Sequence, residues 1–165
     1  MFDAKLISEA ERLLALMRGR ALKLATAESC TGGLIAGLFT EVAGASDVFE
    51  RGFVTYSNAA KVGALNVDYD MLQTFGAVSA ETAAAMAAGA LRASAADIAL
   101  SVTGIAGPSG GTAEKPVGLV YLGLAVRGRP VLTRELRLGD AGGRAAVRMG
   151  TVDAAVVLLG EALAE

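Results

Sequence analysis

Three apolar runs, "ALKLATA" (21–27), "FERGFVTYS" (49–57) and "DIALSVTG" (97–104), alternate with segments of helical periodicity, and this alternation narrows the fold more than any other feature. Strands separated by helices pair in parallel through right-handed crossovers, because a tight turn cannot reach a parallel neighbour. Leu6, Ile7, Ala10, Leu13, Leu14 and Met17 recur at the spacing of an amphipathic helix over 4–18, with Gly19 as its C-terminal stop. "LIAGLFTEV" (34–42) predicts a second helix. Asn58 is placed to cap a short helix carrying Lys61, Asp68 to cap one over 69–75, and Ser79 an alanine-rich helix over 80–94. "VGLVYLGLAV" and "VLTRELRL" flank "RGRP" and read as a hairpin, strands four and five. Ala145, Met149, Val152, Val156, Leu159 and Leu163 mark one face of a closing helix.

Strand four arrives without a helix, so it is the antiparallel one. The expected architecture is α/β: a three-layer α/β/α sandwich around a five-stranded mixed sheet of order 2-1-3-4-5. The 165 residues suit one domain, 1–165, and contain no internal repeat or linker. In such sheets ligands bind beyond the carboxyl ends of the parallel strands, where the order switches between strands one and three. "ESCTGG", "YSN" with Lys61, and "TGIAGPSGG" all leave those ends.

Charge restricts the partners. Lys plus Arg number 15 against 17 for Asp plus Glu, only 5% of residues are aromatic, and no basic tract occurs. The footprint of a nucleic-acid binder is missing. "MFDAKLISEAERLLALMRGR" is charged throughout, which predicts neither a signal peptide nor a membrane span. Cys30 is the only cysteine, so no internal disulfide forms and a reducing, cytoplasmic setting is expected. With no histidine and one cysteine, no transition-metal site and no cofactor are expected.

A chain without histidine needs another general base. In "AESCTGG", Ser29, Cys30 and Thr31 precede Gly32, Gly33 and a helix start. Glycines there admit a ligand to the backbone, and free helix N–H groups favour an anion or oxyanion. The plainer reading makes Thr31 a helix cap and the glycines a tight turn. The loop is neither a Walker A sequence nor a dinucleotide fingerprint. Lys61, desolvated beside the crevice, would serve as base to a serine, a Ser–Lys pair replacing Ser–His–Asp. Tyr56 is placed to orient Lys61 or relay its proton, or to be a strand aromatic with a surface hydroxyl. Thr103 and Gly104 end strand three facing the crevice. Arg144 heads the last helix, either binding a phosphate or facing solvent.

The stretches "TAESCTGGLIAGLFTEVAGASDVFERGFVTYSNAAKVGALNV", "GAVSAETAAAMA" and "SVTGIAGPSGGTAEKPVGLVYLGLA" resemble the CinA C-terminal domain family and cover nearly the whole chain. The resemblance implies a nicotinamide mononucleotide amidohydrolase that releases nicotinate mononucleotide and ammonia in pyridine-nucleotide recycling. It implies a Ser/Lys dyad without metal, Ser29 and Lys61 here, with Tyr56 beside them. Thr103 and Arg144 match further polar positions around the site. Many members carry an additional N-terminal domain related to molybdopterin-binding proteins, which this sequence does not include. The expected oxyanion donors are N–H groups near Thr31 to Gly33, and the 5′-phosphate is expected near a helix N-terminus or Arg144. Two other nucleophiles compete. Cys30 with Glu28 and Lys61 would copy a Cys–Glu–Lys amidase, but Ser29 and Cys30 cannot both face the crevice readily. Ser46 in "GASDVF" precedes strand two, at the opposite end unless a neighbouring subunit supplies it. Ser29 is preferred. A non-catalytic nucleotide-binding module is the rival reading, and the alanine- and glycine-rich helices suggest a homodimer.

Overall fold

In the computed structural model, which describes residues 2–164, the chain runs α1 (Ala4–Gly19), β1 (Leu24–Glu28), α2 (Leu34–Glu41), a 3₁₀ turn (Ala45–Asp47), β2 (Phe49–Val54), α3 (Asn58–Leu65), α4 (Tyr69–Phe75), α5 (Ala80–Arg92), β3 (Ile98–Gly104), β4 (Leu119–Val126), β5 (Leu132–Arg137) and α6 (Gly143–Ala164). The sheet has the expected order β2-β1-β3-β4-β5. β1 pairs in parallel with both β2 and β3, while β4 is antiparallel to β3 and β5. α1, α2 and α6 pack together on one face and α5 covers the other with α3 and α4 beside it, giving three layers. Every residue of β1 is buried, as a central parallel strand covered on both faces requires. Alternate β1 side chains enter different cores: Leu24 joins the α1/α2/α6 side, Ala25 and Ala27 the α5 side.

The first strand starts three residues later than expected, for a local reason. Gly19 is the last helical residue of α1, and the left-handed conformation falls on Ala21 at φ +54°. The N–H of Leu22 bonds the carbonyl of Met17 and that of Ala21 bonds Arg18, a Schellman closure that consumes the start of "ALKLATA". Asp68 and Ser79 cap α4 and α5 through their side chains as expected. The cap of α3 is Ser57 and not Asn58: its Oγ accepts from the N–H of Ala60 at 3.0 Å, which makes Asn58 the first helical residue. Ala145 is exposed, because the first turn of α6 overhangs the crevice before the helix meets the core at Val147.

α5 uses its small residues inside the chain. Ala83, Ala87 and Ala90 are fully buried, and a Cβ on Gly89 would lie 2.2 Å from the carbonyl oxygen of Leu65 at the end of α3. These small residues of α5 are thus used in packing within the chain. Gly89→Ala is expected to lower stability by about 1–3 kcal/mol, as overpacking does, read as a reduced urea midpoint at constant slope. An unchanged midpoint would mean that α3 yields freely, and with it the helix that carries Lys61. Among the described residues, no helix is long and apolar enough to cross a membrane.

Candidate active site

β1 delivers Ser29 one residue past its end. The Ser29 N–H bonds the Val102 carbonyl of β3 at 3.0 Å, so the ladder continues into the loop. Extended alternation then sends Ser29 to the face of Ala25 and Ala27 and Cys30 to the opposite core, where it packs with α1, α2 and α6 residues. On the Ser29 face, α3 supplies Lys61, whose Nζ lies 3.0 Å from Ser29 Oγ and donates to the Thr55 carbonyl at 2.9 Å. Lys61 is 1% exposed and Ser29 8% exposed. No carboxylate pairs with Lys61 among the described residues. Burial therefore holds the Lys61 ammonium below the ordinary lysine range, with the Cys30 sulfur opposing it. A buried, uncompensated amine in contact with a hydroxyl is poised to take the hydroxyl's proton.

Cys30 stands in the opposite condition. It is 5% exposed, and burial pushes its thiol up to about 11. It faces away from Lys61's partner and stays protonated at neutral pH. Ser46 sits in the 3₁₀ turn before β2, at the far end of the parallel strands, as topology requires.

The turn between β1 and α2 is built differently from either sequence reading. Gly32 and Gly33 adopt φ +60° and +96°, conformations that favour glycine, and Gly33 is the cap position of α2 without any capping side chain. Thr31 is not the cap. Its hydroxyl donates to Glu28 Oε2 at 2.7 Å, and the same oxygen accepts from the N–H groups of Gly33 and Ile35 at 3.0 and 3.1 Å. Glu28 Oε1 accepts from Ala36 N–H at 2.8 Å. The N–H of Gly32 bonds the Ser29 carbonyl. Gly32 and Gly33 are therefore not free oxyanion donors, and the start of α2 is not free for a phosphate. The N–H group of Thr31 meets no acceptor among the described residues, while that of Cys30 lies against its own sulfur.

Around this centre, α6 contributes two arginines one turn apart. Arg144 donates to the Tyr56 hydroxyl at 2.7 Å and to the Gly107 carbonyl at 2.9 Å, bridging two loops of the crevice. Tyr56 is 58% exposed, and its hydroxyl is bonded to Arg144 and not to Lys61. Arg148 donates to the Thr31 carbonyl at 2.7 Å, while its buried Nε has no partner. Thr103 is buried and its hydroxyl donates to the Ala77 carbonyl at 2.5 Å, tying β3 to the turn before α5. Gly104 serves β4: a Cβ there would lie 2.6 Å from Val120 Cγ2. A cleft of about 530 Å³ opens between the loop at Pro108 to Thr112 and Arg137 and Asp140, without Ser29 or Lys61 in its walls. The buried amine–hydroxyl pair of Lys61 and Ser29 stands apart from this cleft.

The sequence matches the family described as "CinA C-terminal domain" over residues 7–163. The chain belongs to the CinA C-terminal domain family. The CinA-type fold is shared with competence/damage inducible protein CihA from Agrobacterium tumefaciens, at a TM-score of 0.96 and 51% identity over 100% of this chain and 99% of that one. A CinA superfamily protein from Klebsiella pneumoniae superposes at 0.91 with 34% identity, over 96% and 98% of the two chains. A putative competence-damage inducible protein from Caldicellulosiruptor saccharolyticus is 57% identical over 71% of this chain and 28% of its own length. The CinA-like protein of Kosmotoga olearia is 54% identical over 78% of this chain and 31% of its own. This CinA domain thus spans about a third of these longer relatives. Within it, sequence reasoning missed Arg148 and the role of Glu28. "GDAGGRAAVR" carries Arg144 and Arg148 at a spacing of four, which places both on one helical face and was the available signal.

Proposed function

We propose that this CinA domain hydrolyses the carboxamide of nicotinamide mononucleotide to nicotinate mononucleotide and ammonia by serine acyl transfer. The observation that carries the reading is the 3.0 Å contact between Ser29 Oγ and a buried Lys61 with no anionic partner. Neutral Lys61 donates one hydrogen to the Thr55 carbonyl and accepts the Ser29 proton through its lone pair. Ser29 Oγ forms the new bond to the amide carbon, and the free N–H group of Thr31 receives the developing oxyanion. Lys61 returns the proton to nitrogen as the C–N bond breaks and ammonia leaves. Water, deprotonated by Lys61, then cleaves the ester and regenerates Ser29. The nucleotide portion extends from the dyad past Tyr56 towards Arg144, whose guanidinium takes the phosphate beside the start of α6, since the start of α2 is occupied by Glu28.

The test is incubation of the pure protein with nicotinamide mononucleotide, with ammonia and nicotinate mononucleotide quantified together. Equal release of both is expected. Binding without release would leave a nucleotide-binding module, in which a lysine buried on a serine has no purpose.

Two narrower outcomes follow. No three His, Cys, Asp or Glu side chains converge as a metal-binding group among the described residues, so EDTA is expected to leave turnover intact. Loss restored by a divalent ion would introduce a metal into the reaction. Tyr56→Phe removes an exposed hydrogen bond to Arg144, worth up to about tenfold, and is expected to raise KM with kcat within about threefold. A fall in kcat at constant KM would return Tyr56 to proton relay.

A further inference from the structure

We propose that Glu28 is a positioning residue for the nucleophile: its carboxyl group is a built-in acceptor at the start of α2 that fixes the turn carrying Ser29. The inference rests on the Ser29 reading and goes beyond it. Glu28 and Ser29 are adjacent at the end of β1, so their side chains leave on opposite faces, Ser29 to Lys61 and Glu28 to α2. Glu28 is 1% exposed and forms no ion pair among the described residues. Its partners are four neutral donors: the Thr31 hydroxyl and the N–H groups of Gly33, Ile35 and Ala36. Gly33 brings no capping side chain, so Glu28, coming from the preceding strand, does the work of an N-cap. A carboxyl at the positive end of a helix is also favoured by the aligned peptide dipoles.

The consequence for Ser29 is geometric. Its turn is held at each anchor: the Ser29 N–H by Val102, the Ser29 carbonyl by Gly32, the Thr31 hydroxyl by Glu28 and the Thr31 carbonyl by Arg148. Beside a long bond from the Leu34 N–H to the Thr31 carbonyl at 3.4 Å, Glu28 ties the turn to α2 through three backbone N–H groups. Without it, Thr31 and the first turn of α2 lose their common acceptor, and Ser29 Oγ drifts from its 3.0 Å contact with Lys61. Misplacing a reacting group by about 1 Å can lower a rate by around a hundredfold.

Ser29 reactivity can be measured without any assumption about the substrate. Phenylmethanesulfonyl fluoride sulfonylates an activated serine as the S–F bond breaks and fluoride leaves, and the adduct is read by intact mass and peptide mapping across pH. Glu28→Gln keeps the side chain's size but presents an amide N–H₂ to the helix N–H groups. It is expected to slow Ser29 modification about 10–100-fold while the pH midpoint, which Lys61 sets, stays in place. Thr31→Val removes one donor and keeps the branched shape, with about 2–10-fold slowing expected. Circular dichroism melts establish that each variant is folded; if Glu28→Gln does not fold, Thr31→Val decides. A wild-type rate in the folded variant overturns the positioning role, and so does a shifted midpoint, which would mean that Glu28 acts on the charge of Lys61. A wild-type Ser29 that never reacts removes the proposed nucleophile itself, and this inference with it.

Discussion

Ser29→Ala is expected to lower kcat at least about a hundredfold while leaving substrate affinity nearly unchanged, because it removes the proposed nucleophile and little else. Ser29 is 8% exposed, and its side chain's hydrogen bond is to Lys61, so the substitution opens no sizeable cavity. Single-turnover assays with ammonia quenching, together with equilibrium binding of nicotinamide mononucleotide, separate the two quantities. Cys30→Ala is the control that gives the result its meaning. Cys30 packs into the opposite core with its thiol at about 11, so its loss is expected to reduce stability modestly and leave kcat within about twofold. A severe Cys30→Ala effect beside a mild Ser29→Ala one would transfer the nucleophile to the thiol. Comparable activity in both variants would remove acyl transfer to this turn altogether.

The sheet order was legible because parallel strands need crossovers, and strand four, which lacks one, had to run against its neighbour. The proximity of Ser29 and Lys61 was legible for the same reason. β1 and β2 are parallel neighbours whose C-terminal loops emerge side by side, so residues 32 apart meet at 3.0 Å. What escaped depended on directions that a linear pattern does not carry. Thr31 looked like a helix cap because its type and place suit one, yet the turn through Gly32 and Gly33 gives that task to Glu28. Tyr56 is five residues before Lys61, but α3 turns Lys61 into the core while Tyr56 stays outside and meets Arg144, 88 residues away. Thr103 and Gly104 were placed at the crevice by strand polarity alone. Their side-chain environments, the Ala77 carbonyl and the backbone of β4, come from packing.

Lys61 decides whether the dyad works as a base or as a fixed charge. Its ammonium is destabilised by burial, since the low-dielectric surroundings penalise the charged form and no carboxylate repays the loss. The proposed mechanism needs a neutral amine, so kcat/KM is expected to rise with pH along one limb and level off, with its midpoint below the roughly 10.4 of a free lysine. Stability follows the same proton. Below the depressed pKa, Lys61 is protonated both folded and unfolded, and the folded chain bears the full burial penalty. Between that pKa and the ordinary one, the unfolded chain binds a proton that the folded chain does not, so stability rises with pH. Lys61→Met removes both the burial penalty and this increment, so the wild-type urea midpoint should rise relative to that of the variant across the same window. Lys61→Arg retains a positive charge but does not deprotonate, and its planar head does not fit between Ser29 Oγ and the Thr55 carbonyl as an amine does. It should be nearly as damaging to kcat as Lys61→Ala, each by at least about a hundredfold. A Lys61→Arg protein with near-normal kcat and a flat pH profile would show that positive charge alone suffices. The proton of Ser29 would then have to leave through another group, in a chain that has no histidine to take it.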